Sequence, residues 1–313
     1  MVTMKHLRHL EIDKNRWDAF LENSPQRLAY GFTGYLDCIS PNWEALIFEE
    51  NGIWRSIVPI PVRKRFGIRF ISQPYFCQQL GFFADTEIID AGFVSEAIKY
   101  LKKQFDYCPR LFWNLPNLPE SKVAFTHLLN LSQNYSAVYE GYSTYIKRNL
   151  QKAQQVNWTL EICEDIKALI RLHQAHNEEK AAGRKLDFDV YQPYIEGVQI
   201  LFQLRKAIII FAKKEGKIEA GGLFVMDAGR IIYLFNGASP IGRQDHGRLL
   251  IIDSLIQKYA GQPFIFDFED PLDAPSVSAY YASFGAKKSY YSALKWQQNK
   301  FLGLGLKTRR LFR

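Results

Sequence analysis

The sequence predicts a mixed α/β protein, an α+β arrangement with a mixed sheet, made of two related lobes and a helical insert. Three observations predict it. The first is a repeated order of elements. Glu44–Glu50 and Ile53–Pro61 flank Asn51-Gly52, a strong hairpin signal. A strand over Ile68–Phe76, a helix over 91–105 and a short buried strand at Leu111–Trp113 follow. In the second half, Ala207–Lys213 and Ile218–Met226 flank Glu215-Gly216. They precede a strand at Arg230–Asn236, a long helix and the strand Phe264–Phe268. The offset, on the order of 155–165 residues, suits a duplicated domain. The second observation is the glycine-spaced loop Asn236-Gly-Ala-Ser-Pro-Ile-Gly-Arg-Gln-Asp-His-Gly-Arg248 just before that helix. The third is the apolar run of Phe264–Phe268, which reads as a strand buried on both faces.

The remaining elements have local reasons. Asp13 caps a helix running to about Asn23, with Trp17, Phe20 and Leu21 inward; Ser24-Pro25 stops it. In the 91–105 helix Phe93, Ala97, Ile98 and Leu101 face inward, and Pro116 and Pro119 end the first unit. The insert holds three helices: Thr144 to about Gln155 capped by Ser143, Ile166–Ala182 ending at Gly183, and Val190–Leu204. In the long helix Leu249, Leu250, Ile252, Leu255 and Ile256 form the inward face, and Gly261-Gln-Pro263 breaks it. The expected domains are 1–140, 141–205 for the insert, and 206–313 with a basic tail.

The chain has 313 residues, enough for two domains or one two-lobed unit. Its net charge of +8 favours anionic partners such as CoA phosphates, RNA or acidic lipid. Part of the excess is local, at Arg63–Arg65, Lys147-Arg148 and the last seven residues. Cys38, Cys77, Cys108 and Cys163 show neither disulfide nor metal spacing and read as free thiols. No secretory h-region and no apolar run of membrane-spanning length is present, so a soluble cytoplasmic protein without membrane insertion is expected.

The candidate site gathers around the loop. Amide N–H groups ahead of a helix, the helix dipole, and the side chains of Arg243 and Arg248 suit a phosphate. The plain alternative is a helix start with surface arginines. Gly247 allows close backbone approach, and His246 is either a further donor or a surface residue. Asp267 and Glu269 alternate with Phe266 and Phe268, so both point to one face if the strand continues to Glu269. There they form a base for an amine, or an acid pair bound to backbone or arginine. Lys147, Arg148 and Lys152 share one side of their helix, for phosphates of CoA or RNA or simply for solvent. His173 and His176 sit three apart on a helix, but no metal motif is completed and no metal is expected.

Arg243-x-x-x-Gly247-Arg248, Asp267-Phe-Glu269 and Phe284-Gly285 before a tyrosine-rich strand resemble the GNAT acyltransferase superfamily, in particular its FemAB/FemX-like branch of two GNAT lobes. The helix Tyr145–Ala153 resembles a basic helix of that branch. The resemblance covers residues 140–296 well and the first half in outline; Asp270 stands where the branch often has glycine. It implies two tandem acyl-CoA N-acyltransferase lobes. It also implies an acyl-CoA donor held by Asn236, Gly237, Ser239, Arg243, Gln244, His246, Gly247 and Arg248. On the same footing Tyr280 or Tyr281 protonates the leaving thiolate, Tyr281 being the stronger candidate, against a core-aromatic reading. Gln78 and Gln79 match the strand end at Asn236-Gly237, which makes them, with Lys147 and Arg148, candidates for binding the acceptor. The first lobe has acidic residues where its helix begins, so only the second lobe is expected to hold a donor.

The expected activity is acyl transfer from acyl-CoA to a small or peptide-like amine. The alternatives are a FemX-like transferase using aminoacyl-tRNA, and a non-catalytic scaffold with a decayed site.

Overall fold

A computed structural model describes residues 2–180, 191–271 and 274–298. The chain forms two compact units, Met1–Ala124 with the chain from Tyr290 onward, and Phe125–Ser289.

The first unit begins with β1 (Val2–Leu7), α1 (Lys14–Glu22) and α2 (Thr33–Ile39). The hairpin β2 (Glu44–Glu50) and β3 (Ile53–Ile60) turns at Asn51 and Gly52, with φ of 51° and 79°. Positive φ at both central residues is what the Asn-Gly pair supplies at low cost. A second hairpin, β4 (Val62–Arg65) and β5 (Ile68–Ile71), is followed by the short β6 (Phe83–Ala84), α3 (Ala91–Gln104) and β7 (Tyr107–Trp113). The sheet order is β1-β2-β3-β6, and a parallel bridge joins Leu80 to Trp113 at the end of β7. Val94, Ala97 and Leu101 of α3 pack on Leu46, Phe48, Val58, Phe82 and Trp113.

The chain enters the second unit within β8 (Lys122–Asn130) and continues through α4 (Tyr135–Glu140) and α5 (Thr144–Gln155). Then come β9 (Thr159–Cys163), α6 (Ile166–Lys180), α7 (Gln192–Gln203), β10 (Ala207–Lys214), β11 (Lys217–Asp227) and β12 (Arg230–Ala238). The short α8 (Pro240–Gln244), α9 (Gly247–Tyr259), β13 (Ile265–Asp267) and α10 (Pro275–Ala282) complete it, and β14 (Lys287–Gln297) returns to the first unit and pairs with β7. The sheet of this unit runs β8-β13-β12-β11-β10-β9. β12 and β13 are parallel, and the other pairings are antiparallel.

The expected hairpins, the 91–105 helix and the capped helices at Asp13 and Ser143 all form, with Asp13 accepting from the Arg16 amide and Ser143 from the Ile146 amide. Five strands escape the sequence reading: β1, β4, β6, β8 and β9. β9 is half polar and sits at the sheet edge, so it shows no buried face to read. Its pairing with β10 gives the 141–205 segment a second meaning. Apart from the β4–β5 hairpin and the short α8, the order β9-α6-α7-β10-β11-β12-α9-β13 repeats β1-α1-α2-β2-β3-β6-α3-β7, so α6 and α7 hold the places of α1 and α2. The sequence reading sets borders at 140/141 and 205/206; the compact units divide at Ala124/Phe125 and Ser289/Tyr290. The expected strand to Phe76 stops at Ile71. Beyond it Gln73 donates to the Cys77 carbonyl and accepts from the Phe112 amide, and Phe76 turns to φ 59°. The end of the Ile166–Ala182 helix, Gly183 and the start at Val190 lie outside the described residues.

Two buried carboxylates tie elements together. Asp253 of α9 accepts the hydroxyls of Tyr135 and Tyr142 at 2.9 and 3.0 Å, which docks the α4 segment on α9. Glu44 of β2, 6% exposed, accepts from Arg8, pairs with Arg69 and meets His6 Nε2. Burial alone raises the Glu44 carboxyl, but the hydrogen bonds from His6 and Arg8 and the charge of Arg69 outweigh it and hold it below the usual range. A depressed carboxylate stabilises the fold above its unfolded value of about 4.3, and that contribution is lost as pH falls through the folded value. Glu44→Gln should therefore lower unfolding free energy at pH 7 by about 1–3 kcal/mol. In urea melts repeated downward in pH, the gap to wild type should narrow once pH drops below about 4.3.

Candidate functional site

The site begins where two parallel strands part. β12 pairs with β13 only at Arg230–Ile265, Ile231–Phe266 and Ile232–Asp267. β13 stops there, while β12 continues to Ala238. Asp267, 2% exposed, accepts the Thr126 hydroxyl at 2.6 Å and the Glu269 amide at 3.0 Å, and pairs with Arg230 at 3.0 Å. Phe268 then donates its amide to the His127 carbonyl, and Glu269 takes φ 50°. The strand therefore does not reach Glu269. The expected common face for Asp267 and Glu269 is absent: Asp267 is anchored inside, and Glu269 is half-buried within electrostatic reach of the Tyr194 hydroxyl.

A β-bulge re-aims β12 at the same level. Phe235 faces Leu223 and Tyr233 faces Phe224, which leaves Leu234 as the extra residue. Side chains on the two sides of the bulge consequently go to different layers. Phe235 meets His173, Tyr191 and Tyr194 from α6 and α7. Tyr233 meets Phe224, Phe266 and Tyr281 on the α10 side. Asn236 presents its side-chain oxygen to Arg248 Nη1 at 2.8 Å. Its backbone oxygen accepts from His173 Nδ1 at 2.8 Å.

Arg248 is the charge at the centre. No carboxylate pairs with it among the described residues, and Tyr233, Tyr280 and Tyr281 lie within electrostatic reach of it. Burial raises the Tyr233 phenol to about 12 and those of Tyr280 and Tyr281 further, against the opposing pull of Arg248. These hydroxyls keep their protons near neutrality. Burial, with Arg248 adding to it, pushes His173 below its usual value despite its hydrogen bond to Asn236. His173 is thus a neutral N–H donor that fixes the β12 backbone. The side chain of His176 lies outside the described residues.

α9 starts at Gly247 after His246, which takes φ 57° and gives no side-chain cap. The first-turn amides of Gly247, Arg248 and Leu249 are left uncapped at the positive end of a 13-residue helix. Lys152 of α5 lies within electrostatic reach of His246, and Tyr145 of α5 within reach of Tyr280. Arg148 stands between those two at helical spacing and is exposed. Lys147 turns back instead, donating to the Glu140 carbonyl at 3.0 Å over the Tyr139 ring.

Other loop residues are tied to the body of the unit. A Cβ on Gly242 would lie 1.9 Å from the Glu219 carbonyl oxygen, and one on Gly247 would lie 2.9 Å from the Ala220 Cβ. Close packing on β11 therefore suffices to explain both glycines. Gly237 is pressed against the His173 backbone nitrogen in the same way, at 2.7 Å. Ser239 accepts from the Gly242 amide and donates to Glu219, and Arg243 donates to the Ala238 carbonyl. Gln244 is exposed. The structure thus brings together Asn236, Arg248 and Tyr281, and turns Ser239, Arg243 and Lys147 elsewhere. Sequence reasoning missed the grouping of Thr126, His127 and Asp270, because it holds no reading of β8 as a strand.

The corresponding place in the first unit is closed. Leu80 donates to the Phe112 carbonyl, Asn114 donates its amide to Leu80, and the Asn114 side chain donates to the Phe82 carbonyl. Gly81, at φ 141°, has no room for a side chain against Asn114. The amides opening α3 are taken by Asp90, whose carboxylate accepts from Gly92 and Phe93. Gln79 is buried and donates to Gln78 at 2.9 Å within this unit.

No protein-family model matches the sequence, and no curated protein matches it. Solved structures do. FemX is similar over 97% of this chain and 100% of its own, with a TM-score of 0.67 at 11% identity. L-PGS from Bacillus licheniformis is similar over 94% of each chain, with a TM-score of 0.52 at 11% identity. A tandem GNAT protein from the clavulanic acid biosynthesis pathway covers 94% of this chain and 98% of its own, at 0.50 and 9% identity. The parted parallel strands, the doubled element order and these likenesses agree: the chain has the fold seen in FemX and in the tandem GNAT protein.

Proposed function

We propose that this protein transfers an acyl group from acyl-CoA to an amine, with the donor at the parting of β12 and β13. One observation carries the reading. Arg248, without a carboxylate partner among the described residues, stands at that parting beneath the uncapped start of α9. A cation and open amides in a largely buried setting suit an anionic donor, whose phosphates would also meet Lys152 and Arg148. The β12 backbone just beyond Ile232, no longer paired with β13, would take an extended arm by strand-like hydrogen bonds. Tyr281, 6% exposed and kept protonated by burial, suits the role of proton donor to a leaving thiolate. Glu269 sets a carboxylate beside Tyr194 that would draw an amine acceptor.

A second reading, transfer from aminoacyl-tRNA, is favoured by the loop itself. Ser239 and Glu219 occupy the Gly242 amide region, and Arg243 is turned onto Ala238, which leaves fewer groups for a pyrophosphate than the sequence suggests. An RNA donor would use phosphate contacts spread over the basic surface of α5.

Calorimetric titration with acetyl-CoA and a longer acyl-CoA separates these. Arg248→Ala should weaken donor binding at least about tenfold, the loss of a charged hydrogen bond being worth about 1.5–3 kcal/mol. Absence of binding by wild-type protein to either thioester would sink the CoA reading. Affinity for aminoacyl-tRNA that falls steeply with salt would then establish the second, and failure of both donors would leave a scaffold. Tyr281→Phe should lower kcat at least about tenfold while the acetyl-CoA Kd stays within twofold, since a proton donor acts in the transition state.

A further inference from the structure

Beside the parted strands the structure holds a histidine–aspartate pair outside every role given above. His127 of β8 meets Asp270 Oδ2 with its ring Nδ1 at 2.9 Å, and donates its backbone amide to the same oxygen at 2.7 Å. The side chains are 3% and 2% exposed. Asp270 is held in turn by its own amide, which donates to Thr126 Oγ1 at 3.2 Å, while the Thr126 hydroxyl donates to Asp267. A carboxylate taking up Nδ1–H fixes the tautomer in which Nε2 is the basic nitrogen. Nε2 has no hydrogen-bond partner among the described residues.

The pair lies beside Tyr281. Leu129 is opposite Phe266 and Leu128 opposite Asp267, so His127 falls one step beyond the last β13 pairing, on the face shared by Phe266 and Phe268. Phe268 stacks on Tyr281 at 4.8 Å. Tyr281 lies within electrostatic reach of Asp270 on one side and Arg248 on the other. The Phe125 ring closes the far side of the imidazole edge-on at 5.6 Å. Of the other carboxylates near the parting, Asp267 is committed to Thr126 and Arg230.

We infer that His127 is the base that takes the proton of the acceptor amine, with Asp270 as its positioning residue; this rests on the acyl transfer proposed above. The amine nitrogen attacks the thioester carbonyl, a C–N bond forms and the C–S bond breaks. The nitrogen's proton passes to His127 Nε2, and the thiolate takes a proton from Tyr281. Solvent then removes the proton from His127 and restores the one on Tyr281. Asp270, whose Oδ2 meets Nδ1, is on this account the residue that orients His127 for that role.

Two measurements on the full chain test it. Diethyl pyrocarbonate, followed by peptide mass analysis, should modify His127 in the folded protein. Acetyl-CoA with a panel of primary amines should show thiol release that His127→Gln lowers about 100-fold, within the range for loss of a general base. In that variant the acetyl-CoA Kd should stay within twofold. Asp270→Asn should lower kcat in the same sense, and imidazole in solution should restore turnover to His127→Ala. Turnover by His127→Gln within threefold of wild type, or a His127 that the reagent never reaches while acetyl-CoA still binds, overturns the assignment and leaves the donor reading standing. Modified His127 without acetyl-CoA binding refutes the donor reading and keeps the pair as an accessible base.

Discussion

Asp267 is where the sheet of the second unit is made to open. A carboxylate this deeply buried is tolerable only with its acceptor positions filled, and it draws the Thr126 hydroxyl, Arg230 and the amide of Glu269 to itself. Taking the Glu269 amide, with Glu269 in a left-handed conformation, turns the chain out of the strand. β12 then runs on without a partner on that side, and the bulge at Leu234 sends Tyr233 and Phe235 to opposite layers. The central arginine, the tyrosine hydroxyls, the His127–Asp270 pair and the uncapped helix all border the gap created by that one buried acid.

The two units show how one element order yields different electrostatics. In both, a helix joins neighbouring strand ends: α9 links the parallel β12 and β13, and α3 links β6 to β7, where Leu80 bridges Trp113 in parallel. In the first unit an aspartate caps that helix, and an asparagine bridges the strands beneath it. A bound carboxylate already satisfies the helix start, so a second anion would meet repulsion and occupied amides. In the second unit a left-handed histidine precedes the helix without capping it, and an arginine rather than an acid follows. Topology makes both positions possible sites; side-chain chemistry leaves only one of them open to an anion.

The sequence was most legible where a local rule has a single solution. Asn51-Gly52 and Glu215-Gly216 turn as hairpins because both central residues need positive φ. Asp13 and Ser143 cap because their side-chain oxygens reach amides three residues on. It was less legible where function rests on partners distant in the chain. Asp267 looked like a base because alternation along a strand was its only visible context; Thr126, some 140 residues earlier, decides otherwise. The loop glycines Gly242 and Gly247 looked like room for a phosphate, and their tight fit against β11 gives them a packing reason as well.

By itself the sequence determined the doubled plan, the hairpins, the capped helices and the gathering of polar residues near the end of the β12 segment. These follow from short-range sterics, hydrogen bonding and the periodicity of apolar residues, which one stretch of chain carries alone. Only the tertiary structure decided that β8 lies beside β13, that His127 meets Asp270, and that Arg248 meets Asn236 rather than an acid. The physical reason is that charge and proton affinity depend on desolvation and on through-space partners, and the fold sets both by joining segments that no local pattern connects.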